Sequence, residues 1–366
     1  MHAIVANGFA EGPAEALRDY LVAHGAEVVT IFHPLTPEHG SRHVVTRYAD
    51  GGVADERSVN LRVRPPHSYV LDPLVPLLPP RVDTWFGFNP LACARGLFAR
   101  ALRRARSVVH WSVDFVPDRF GESSVATKVY DRVDRLCCLR ADARVELSEA
   151  ARAARNRRHS LHGEAGRAHV VPMGAWLDRV PTTSPDGFER RRVAFLGHLV
   201  ARQGVDVALA ALATLDDVTA DVIGGGPLEQ ELRARAPANV RFHGFVPDHR
   251  EVEQLLAGAS VAVAPYRPEA TSFTRYADPG KLKAYLAAGL PIVLTAVPPN
   301  AETLAHEAGA ELVGYDAAEL ARAISTGLAD AGEWRRRRAA ALSYIRRFDW
   351  EVLLSDLLPK LGVALP

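Results

Sequence analysis

One lysine lies where a helix is predicted to begin, and this position indicates an anionic ligand. Lys281 falls in the first turn of a helix predicted from Pro279, within the segment YADPGKLKAYLAAGLPIV. The first turn has unpaired backbone amides and is the positive end of the helix dipole, so a cation there gains little unless an anion neutralises it. Lys281 is therefore a candidate phosphate ligand, with a solvated lysine as the alternative. Asp278 either caps the helix or contacts the ligand.

Glycines follow two predicted strands and suit a backbone that binds phosphate. In LGHLVARQG, Gly197 and His198 follow one strand and Arg202 adds a cation, an arrangement that suits a diphosphate. In IGGGP, Gly226 and its neighbours follow another strand, and glycines let a ligand approach the backbone. Neither segment has the GxGxxG spacing of a nicotinamide site. A plain strand-to-helix turn is the alternative for the first segment.

A histidine and an aspartate lie at a strand end in the first half. The segment VVHWSVDFVP places His110 and Asp114 where a predicted strand passes into a loop, and both residue types can transfer protons. A histidine satisfied in the interior is the alternative for His110. We find no spacing typical of a serine or cysteine triad, and no HExxH or similar cluster, so no metal site is predicted.

The candidate site residues lie at predicted strand ends and helix starts. The hydrophobic pattern predicts strands and helices in alternation that would position them. Predicted strands cover residues 3–6, 27–31, 60–63, 84–88, 108–111 and 170–171, and then 193–196, 220–223, 240–242, 261–264, 292–294 and 311–313. Helices are predicted over residues 13–23, 91–104, 125–133 and 148–157, and capping-box spacings at Asp248 and Asp316 predict two more helix starts. This alternation predicts an α/β fold with doubly wound parallel sheets.

The length and one proline-rich segment predict two domains. A chain of 366 residues exceeds the roughly 250 to 300 residues that one core serves. Residues 172–191 contain several turn formers and are predicted as the linker. We therefore expect one domain over residues 1–175 and another over 190–345, which face each other across a cleft. Such folds bind ligands at the carboxyl ends of their strands.

The charge balance and the cysteines exclude several classes. The 44 basic and 43 acidic residues leave a net charge of +1, which argues against nucleic acid as a partner. The first apolar run is too short for a signal peptide, and three cysteines without a disulfide pattern are expected as buried thiols, so a cytoplasmic protein is predicted. The basic stretches 100–106 and 152–158 are interpreted as solvated faces, in preference to a membrane-surface or lipid-linked acceptor site.

The sequence resembles the GT-B glycosyltransferases, and among them the retaining group called family 4. The resemblance rests on GHLVARQGVDVALAAL, DVIGGGPLEQEL, VRFHGFVP and DPGKLKAYLAAGLPIV, which occur in the order of the family and at comparable spacings. The ending SYIRRFDWEVLLSDLL is similar to closing helices that cross back, so residues 350–366 are expected to join the first domain. The resemblance implies two Rossmann-like domains and metal-independent sugar transfer from a nucleotide diphosphate, with retention.

The resemblance also implies roles for individual residues. The backbone around Gly197 would hold the diphosphate together with Arg202 and Lys281, and His110 would contact the donor sugar. Asp114 would recognise a hydroxyl group or transfer a proton. The remaining donor contacts would come from residues near the base, Gly244, Phe245 and Val246, and from residues that approach the phosphates or the sugar, Gly8 and Gly12.

Three positions depart from the family pattern. Gln203 stands where members usually have a lysine, and Tyr276 and Ala284 stand where they have two glutamates. Neither Tyr276 nor Ala284 can accept a hydroxyl proton as a carboxylate would. Two alternatives therefore stay open: a nucleotide-sugar epimerase on the same fold, and a binding module without turnover. The acceptor would be a small molecule, a glycan or a lipid-linked glycan.

Overall fold

The computed structural model consists of two compact units. It describes residues 1–8, 12–34, 40–60, 62–64, 81–122, 124–161, 167–269 and 273–366. The first unit, called the amino unit below, comprises Met1–Pro172 and Trp350–Pro366. The second, called the carboxyl unit, comprises Met173–Asp349.

The amino unit alternates strands and helices. Its strands are β1 (His2–Asn7), β2 (Val28–His33), β3 (Arg42–Ala49), β4 (Gly52–Asn60), β5 (Val82–Phe88), β6 (Ala105–Ser112), β7 (Ala143–Glu146) and β8 (Ala168–Val170). Its first four helices are α1 (Pro13–Ala23), α2 (Pro90–Ala101), α3 (Val125–Arg140) and α4 (Glu149–His159). The strands form one sheet in the order β4-β3-β2-β1-β5-β6-β7-β8. Chain order reverses at β1, the point where open α/β sheets bind ligands.

One hairpin in the amino unit departs from the sequence-based prediction. The sequence predicted a strand at residues 60–63 and none between residues 31 and 60, but β3 and β4 pair antiparallel there and β4 ends at Asn60. Part of the predicted range, residue 61, lies outside the described residues. The hydrophobic pattern did not predict β4 because this strand lies at the edge of the sheet. Most of its side chains are exposed there, so the strand lacks an apolar run. A short strand, β7, also escaped prediction.

Helix starts in the amino unit follow local capping chemistry. The sequence predicted the bounds of α1 correctly, because Pro13 has a ring that suits the first helical position. Ser124 accepts a hydrogen bond from the Thr127 amide at the start of α3, and Ser148 caps α4 in the same way. These caps fix where α3 and α4 begin after their loops.

The carboxyl unit contains a second, fully parallel sheet. Its strands are β9 (Arg192–Leu196), β10 (Thr219–Ile223), β11 (Val240–Gly244), β12 (Val261–Ala264), β13 (Ile292–Thr295) and β14 (Glu311–Val313). They lie in the order β11-β10-β9-β12-β13-β14, so the sheet reverses chain order between β9 and β12. All six cover the strands predicted from the sequence, because each is a short apolar run bounded by turn residues.

Helices cover both faces of the second sheet. They are α5 (Val205–Leu212), α6 (Glu229–Ala234), α7 (His249–Ala257), α8 (Gly280–Ala287), α9 (Ala301–Ala308), α10 (Ala317–Gly327) and α11 (Ala331–Ile345). Two apolar cores result, one around Val193 and Trp334 and the other around Ala194 and Tyr285. Asp248 and Asp316 cap α7 and α10 as predicted, but Glu319 accepts from the Gly314 amide, so α10 has no capping box. The last helix, α12 (Trp350–Lys360), packs against α1 in the amino unit.

The proline-rich segment at residues 172–191 is not a free linker. Nearly all of it belongs to the carboxyl unit, where the Thr183 amide donates to the Ala288 carbonyl at 2.8 Å. The Arg338 guanidinium donates two hydrogen bonds to the Thr183 carbonyl, at 2.8 and 2.6 Å. The prolines and turn formers therefore shape a packed segment, and the composition alone did not distinguish it from a linker.

Candidate functional site

Three loops meet at the carboxyl ends of β9, β10 and β11. The Gly197 amide donates to the Ile223 carbonyl at 2.9 Å, and the Gly224 amide donates to the Gly244 carbonyl at 2.8 Å. The Leu199 amide donates to the Gly225 carbonyl at 2.9 Å. These backbone hydrogen bonds bring the predicted glycines of the carboxyl unit together at one edge of the sheet.

The second glycine run makes this close approach of the loops possible. A Cβ atom on Gly224 would lie 2.1 Å from the Gly197 carbonyl oxygen, and one on Gly226 would lie 2.6 Å from the Leu199 carbonyl oxygen. Any side chain there would force the two loops apart. Gly224 and Gly226 therefore have a packing role between the loops, which the sequence had interpreted as room for a ligand.

Helix α8 brings Lys281 to the same edge. The Leu196 amide at the end of β9 donates to Tyr285 Oη at 2.7 Å, which fixes α8 against this strand. Lys281 lies one turn earlier on the same face of the helix. A methyl group on Gly197 would lie only 3.6 Å from Lys281 Nζ. Lys281 therefore lies close to the glycine loop after β9, while its role as a phosphate ligand stays a prediction.

The ammonium group of Lys281 lies in an apolar setting. It donates to Gln203 Oε1 at 2.6 Å and lies over the rings of Phe195 and Tyr266, at 4.6 and 4.3 Å from their centroids. Burial lowers the pKa of Lys281 to about 7. A dianionic group beside Gly197 would supply the missing countercharge and favour the protonated amine.

Arg202 and His198 flank the first loop. The Arg202 guanidinium lies 4.8 Å from the centroid of the Phe273 ring, and its Nε atom has no hydrogen-bond partner within the described part of the chain. Arginine guanidinium groups both stack on aromatic rings and bind phosphates, so this contact is compatible with an anion-binding role. His198 is exposed. Their roles as donor ligands stay predictions.

The residues predicted near the base lie at the end of β11. Phe245 is 77% exposed, and a Cβ on Gly225 would lie 3.3 Å from the Phe245 Cβ. Val246 is half-buried and packs against the apolar core on one face of the sheet. An exposed aromatic side chain beside glycine loops offers a stacking surface for a ligand ring.

Asp278 is neither the cap of α8 nor exposed. Pro279 occupies the cap position, and the buried Asp278 carboxylate accepts from Lys283 Nζ at 2.7 and 2.8 Å. It also accepts from the Met173 amide at 2.7 Å and from Asn300 Nδ2 at 3.0 Å. Its carboxylate thus holds three separate segments together. Of the two roles considered for Asp278, the cap of α8 is wrong, since Pro279 takes that position. Contact of Asp278 with a ligand stays a prediction, and the buried ion pair with Lys283 was not visible in the local pattern.

The two positions that lack the family glutamates surround this helix start. Ala284 follows Lys281 by three residues on α8 and is half-buried, and Tyr276 is also half-buried. Neither side chain provides a carboxylate. A nucleotide bound here would find Lys281 and the backbone amides, but no acidic group at these two positions.

A cavity of about 380 Å³ lies in the amino unit at the carboxyl ends of β1 and β5. Gly8, Gly12 and Asp114 all contribute to its lining, which is otherwise mainly apolar. The Asp114 carboxylate pairs with Arg119, and the Arg119 guanidinium lies 5.4 Å from the centroid of the Tyr130 ring. The sequence placed Asp114 after a strand end, and the family resemblance implied that Gly8 and Gly12 approach the phosphates or the sugar. The structure groups all three around one cavity at the switch point of the sheet.

Asn89 is a residue of this cavity that the sequence did not single out. Its backbone has φ 121 and ψ 168, a conformation that is essentially confined to glycine and costs about 1–3 kcal/mol. Its side chain accepts from the Ala92 amide at 2.9 Å and donates to Asn7 Oδ1 at 2.9 Å. Such strain clusters at functional sites. The Asn-Pro pair that follows β5 was the available signal.

The structure corrects the role predicted for His110. Its side chain has no exposed surface, and burial lowers its pKa to about 3. Its Nε2 lies 3.6 Å from Asp134 Oδ1, and its Nδ1 lies 3.9 Å from Cys138 Sγ. A side chain enclosed beneath the sheet cannot contact a sugar. The alternative of a structural histidine therefore describes His110.

The same buried cluster has ligand types that could hold a metal ion. The ligand atoms of His110, Asp134 and Cys138 lie within 4.8 Å of one another. However, the Asp134 carboxylate already accepts from Arg155 and from His159. Burial also raises the pKa of the Cys138 thiol to about 12, which opposes the thiolate that a metal requires.

Arg155 supports the loop on which Asp114 lies. Its guanidinium is fully enclosed and pairs with Asp134 and with Glu146, the latter at 2.9 Å. It also donates to the Asp114 carbonyl at 2.7 Å and to the Ser112 hydroxyl. The predicted solvated face over residues 152–158 is therefore wrong at this position, because α4 turns Arg155 towards the sheet.

Comparisons with known proteins show that this chain is similar to glycosyltransferases. Residues 190–330 match the family model described as glycosyl transferases group 1. Over 171 residues the chain is 30% identical to the GDP-mannose-dependent alpha-(1-6)-phosphatidylinositol dimannoside mannosyltransferase of Mycobacterium tuberculosis. That alignment covers 45% of this chain and 42% of the relative. The chain thus spans less than half the length of the curated relatives it matches.

Solved structures match nearly the whole chain. Sucrose-phosphate synthase from Thermosynechococcus elongatus has a TM-score of 0.74 at 18% identity, and the match covers 99% of this chain and 98% of that one. Anabaena HepE in complex with UDP and glucose has a TM-score of 0.66 at 19% identity, covering 98% and 92%. The predicted α/β class with two Rossmann-like domains is confirmed. The chain has the fold of the GT-B glycosyltransferases, and its residues 190–330 match the family model of the glycosyl transferases group 1.

Proposed function

We propose that this protein is a glycosyltransferase that moves a sugar from a nucleotide diphosphate to an acceptor, with retention at the anomeric carbon. The observation that carries the proposal is the position of Lys281, a cation next to the glycine loop after β9. Among the described residues, its ammonium group contacts a neutral amide and two aromatic rings and pairs with no carboxylate. Such a cation is best explained by an anion that binds beside it.

The proposed chemistry follows from the charge that develops during transfer. When the bond between the sugar and the diphosphate breaks, negative charge accumulates on the leaving phosphate. Lys281, Arg202 and the amides around Gly197 would stabilise this charge more strongly than they stabilise the intact donor. In this proposal, these side chains and backbone amides of the protein stabilise the leaving phosphate. Retention rests on the family resemblance alone.

The relatives suggest the classes of donor and acceptor. The names of these similar proteins mention GDP-mannose and UDP, which differ in their base. The proposal therefore names a nucleotide diphosphate sugar as the donor and no particular base. The mannosyltransferase acts by its name on a phosphatidylinositol dimannoside. We propose a glycan, a lipid-linked glycan or a small molecule as the acceptor, with the cavity around Asp114 as its binding region. The three buried thiols support a cytoplasmic location.

The first experiment is calorimetric titration of the protein with UDP, GDP, ADP and dTDP, without metal and then with magnesium. We expect one nucleotide to bind preferentially without metal. Lys281→Ala should weaken that binding roughly tenfold or more, because a charged phosphate contact contributes about 1.5–3 kcal/mol. Lys360→Ala is the matched control, since Lys360 is an exposed lysine on α12 that pairs with Asp356.

Two results would contradict the proposal. Equal affinity of Lys281→Ala and the wild type would remove Lys281 from the phosphate site. Binding of a nucleotide sugar with neither transfer nor slow hydrolysis would favour the binding module without turnover. Where hydrolysis occurs, proton NMR identifies the anomer of the sugar that is released first. The inverted anomer would overturn retention without affecting the donor site.

A further inference from the structure

The outer face of α3 carries a stripe of exposed apolar side chains, which departs from the usual pattern of a surface helix. Val125, Val129 and Leu136 are 77%, 50% and 48% exposed. Their spacing of four and seven residues places them along one stripe, opposite the stripe that buries Asp134 and Cys138. The face of α3 that points away from the sheet therefore presents its large aliphatic side chains to solvent.

The neighbouring helix α2 continues this apolar face. Phe98 is 56% exposed, and Leu102, just after the helix end, is 50% exposed on the same side. Helices α2 and α3 follow successive strands of the sheet in the same direction and pack against each other. Right-handed connections therefore place both on the same face of the sheet. We call their outer sides together the α2–α3 face.

The apolar exposure is concentrated on this part of the molecule. Ten large apolar side chains are exposed among the described residues. Seven of them fall between residues 98 and 136, namely Phe98, Leu102, Val113, Phe120, Val125, Val129 and Leu136. Phe120 and Val113 also line the cavity around Asp114. The concentration indicates an interaction surface, since scattered exposed residues would need no explanation.

Basic side chains frame the apolar stripe. Lys128 and Arg132 are exposed along one side of it, and Arg140 lies on the other side. Arg103 and Arg104 follow α2 and are exposed, and residues 90–113 contain no acidic residue. None of these five side chains forms a salt bridge with any residue that the structure describes. The α2–α3 face therefore combines apolar side chains with uncompensated positive charge.

We propose that the α2–α3 face docks onto a membrane surface that contains anionic lipids. A helix with an apolar stripe flanked by lysine and arginine lies in the plane of the lipid headgroups, with the apolar side chains inserted and the cations near the phosphates. A second protein copy would place these cations against one another, which disfavours that occupant. None of the described helices is long and apolar enough to cross a bilayer.

This surface goes beyond the proposed activity and does not depend on it. The sequence favoured a solvated face for residues 100–106, because it could not show that α2 and α3 expose apolar side chains beside the arginines. The cavity around Asp114 has Leu91 of α2 and Tyr130 of α3 in its lining, so it lies next to the docking face. A docked protein would hold this cavity near the lipid headgroups.

Vesicle sedimentation with the full chain tests the proposal. We expect the wild type to sediment with vesicles of equal parts phosphatidylglycerol and phosphatidylcholine, and to stay in solution with phosphatidylcholine alone. Lys128→Ala with Arg132→Ala should lower the partition coefficient by about tenfold or more, because each basic residue contributes substantially at an anionic surface. Arg250→Ala with Arg322→Ala removes two exposed arginines of the carboxyl unit and should bind like the wild type.

A second pair of variants separates insertion from charge attraction. Val125→Ser with Val129→Ser should also reduce binding several-fold, while Val352→Ser, at an exposed valine of α12, should not. In a further variant, Val129→Trp, the new indole should be quenched by lipids brominated in their acyl chains. All these positions are exposed, so the variants are expected to fold.

Several outcomes would overturn the proposal. They are failure of the wild type to bind anionic vesicles, equal losses in the test and control variants, and sedimentation without quenching in Val129→Trp. Concentration-dependent dimerisation that Val125→Ser with Val129→Ser abolishes, without vesicle binding, would assign the face to a second copy. Vesicle binding needs no donor or acceptor, so its failure would leave the proposed glycosyl transfer untouched.

Discussion

Lys281, which we propose as a phosphate ligand, lies beside a residue that departs from the pattern of the GT-B family that the sequence resembles. Gln203 stands where members of that family usually have a lysine, and its amide oxygen accepts a hydrogen bond from Lys281 Nζ at 2.6 Å. A neutral amide orients the ammonium group without neutralising it. The positive charge therefore stays available for an anion, and burial lowers the pKa of Lys281 to about 7.

This pKa predicts how nucleotide binding depends on pH. The bound diphosphate favours protonated Lys281, which is mostly protonated below pH 7 and mostly neutral above it. Affinity should therefore fall as the pH rises from 7 to 9, by up to about tenfold per unit, in a range where the terminal phosphate is already ionised. Titrations at pH 6.5, 7.5 and 8.5 measure this slope.

Lys281→Arg serves as the control for this prediction. A guanidinium stays protonated throughout this range, so the variant should bind with nearly constant affinity between pH 7 and 9. Equal slopes in the wild type and in Lys281→Arg would show that another group causes the pH dependence. The position of Lys281 would then still be tested by Lys281→Ala.

At the scale of single elements, α4 shows why an arginine-rich helix need not be a solvated one. The sequence EAARAARNRRH suggests a surface helix, yet Arg155 is enclosed by Asp134 and Glu146. The small residues Ala151 and Ala154 are buried and let the helix pack closely, so that Arg155 reaches the carboxylates of Asp134 on α3 and Glu146 on β7. The helix thereby fixes the loop that holds Asp114.

Replacing this buried cation should destabilise the protein strongly. Arg155→Met keeps an unbranched aliphatic side chain but removes the guanidinium and leaves Asp134 and Glu146 buried without this countercharge, at a cost of about 3–5 kcal/mol in the free energy of unfolding. Urea denaturation measures the change. Arg157→Met, at an exposed arginine of the same helix, should change stability by less than about 0.5 kcal/mol. Similar losses in both variants would contradict the role given to Arg155.

At the scale of the whole molecule, buried histidines link stability to pH. Burial lowers the pKa of His33 to about 2 and that of His110 to about 3, so both are neutral in the folded protein. In the unfolded chain they become protonated below about pH 6.5. The unfolded state then binds more protons than the folded state, and stability falls as the pH decreases.

The size of this effect can be measured between pH 7.5 and 5.5. Each of the two histidines should remove about 1.4 kcal/mol from the free energy of unfolding over this interval. His110→Gln, which cannot titrate, should therefore lose about 1.4 kcal/mol less than the wild type does over the same interval. An unchanged pH dependence in this variant would mean that His110 is protonated in the folded protein. Urea midpoints at three pH values distinguish the two cases.

Patterns that are local in the chain could be predicted without the structure. The strands of the carboxyl unit, the start of α1 and the position of Lys281 in the first turn of α8 follow from apolar runs, turn residues and helix-start chemistry within a few neighbouring residues. The α/β class follows from the alternation of these runs. A glycine or proline has the same backbone preference wherever it lies, so these features depend little on distant contacts.

Features that depend on packing were decided only by the tertiary structure. The β3–β4 pairing, the enclosure of His110 and Arg155, and the apolar outer face of α3 all depend on which side of an element meets the sheet. Asp278 reaches the Met173 amide, which is 105 residues away along the chain. A short sequence pattern states which side chains share a face, but the free energy of burial, summed over distant partners, determines which face becomes the interior.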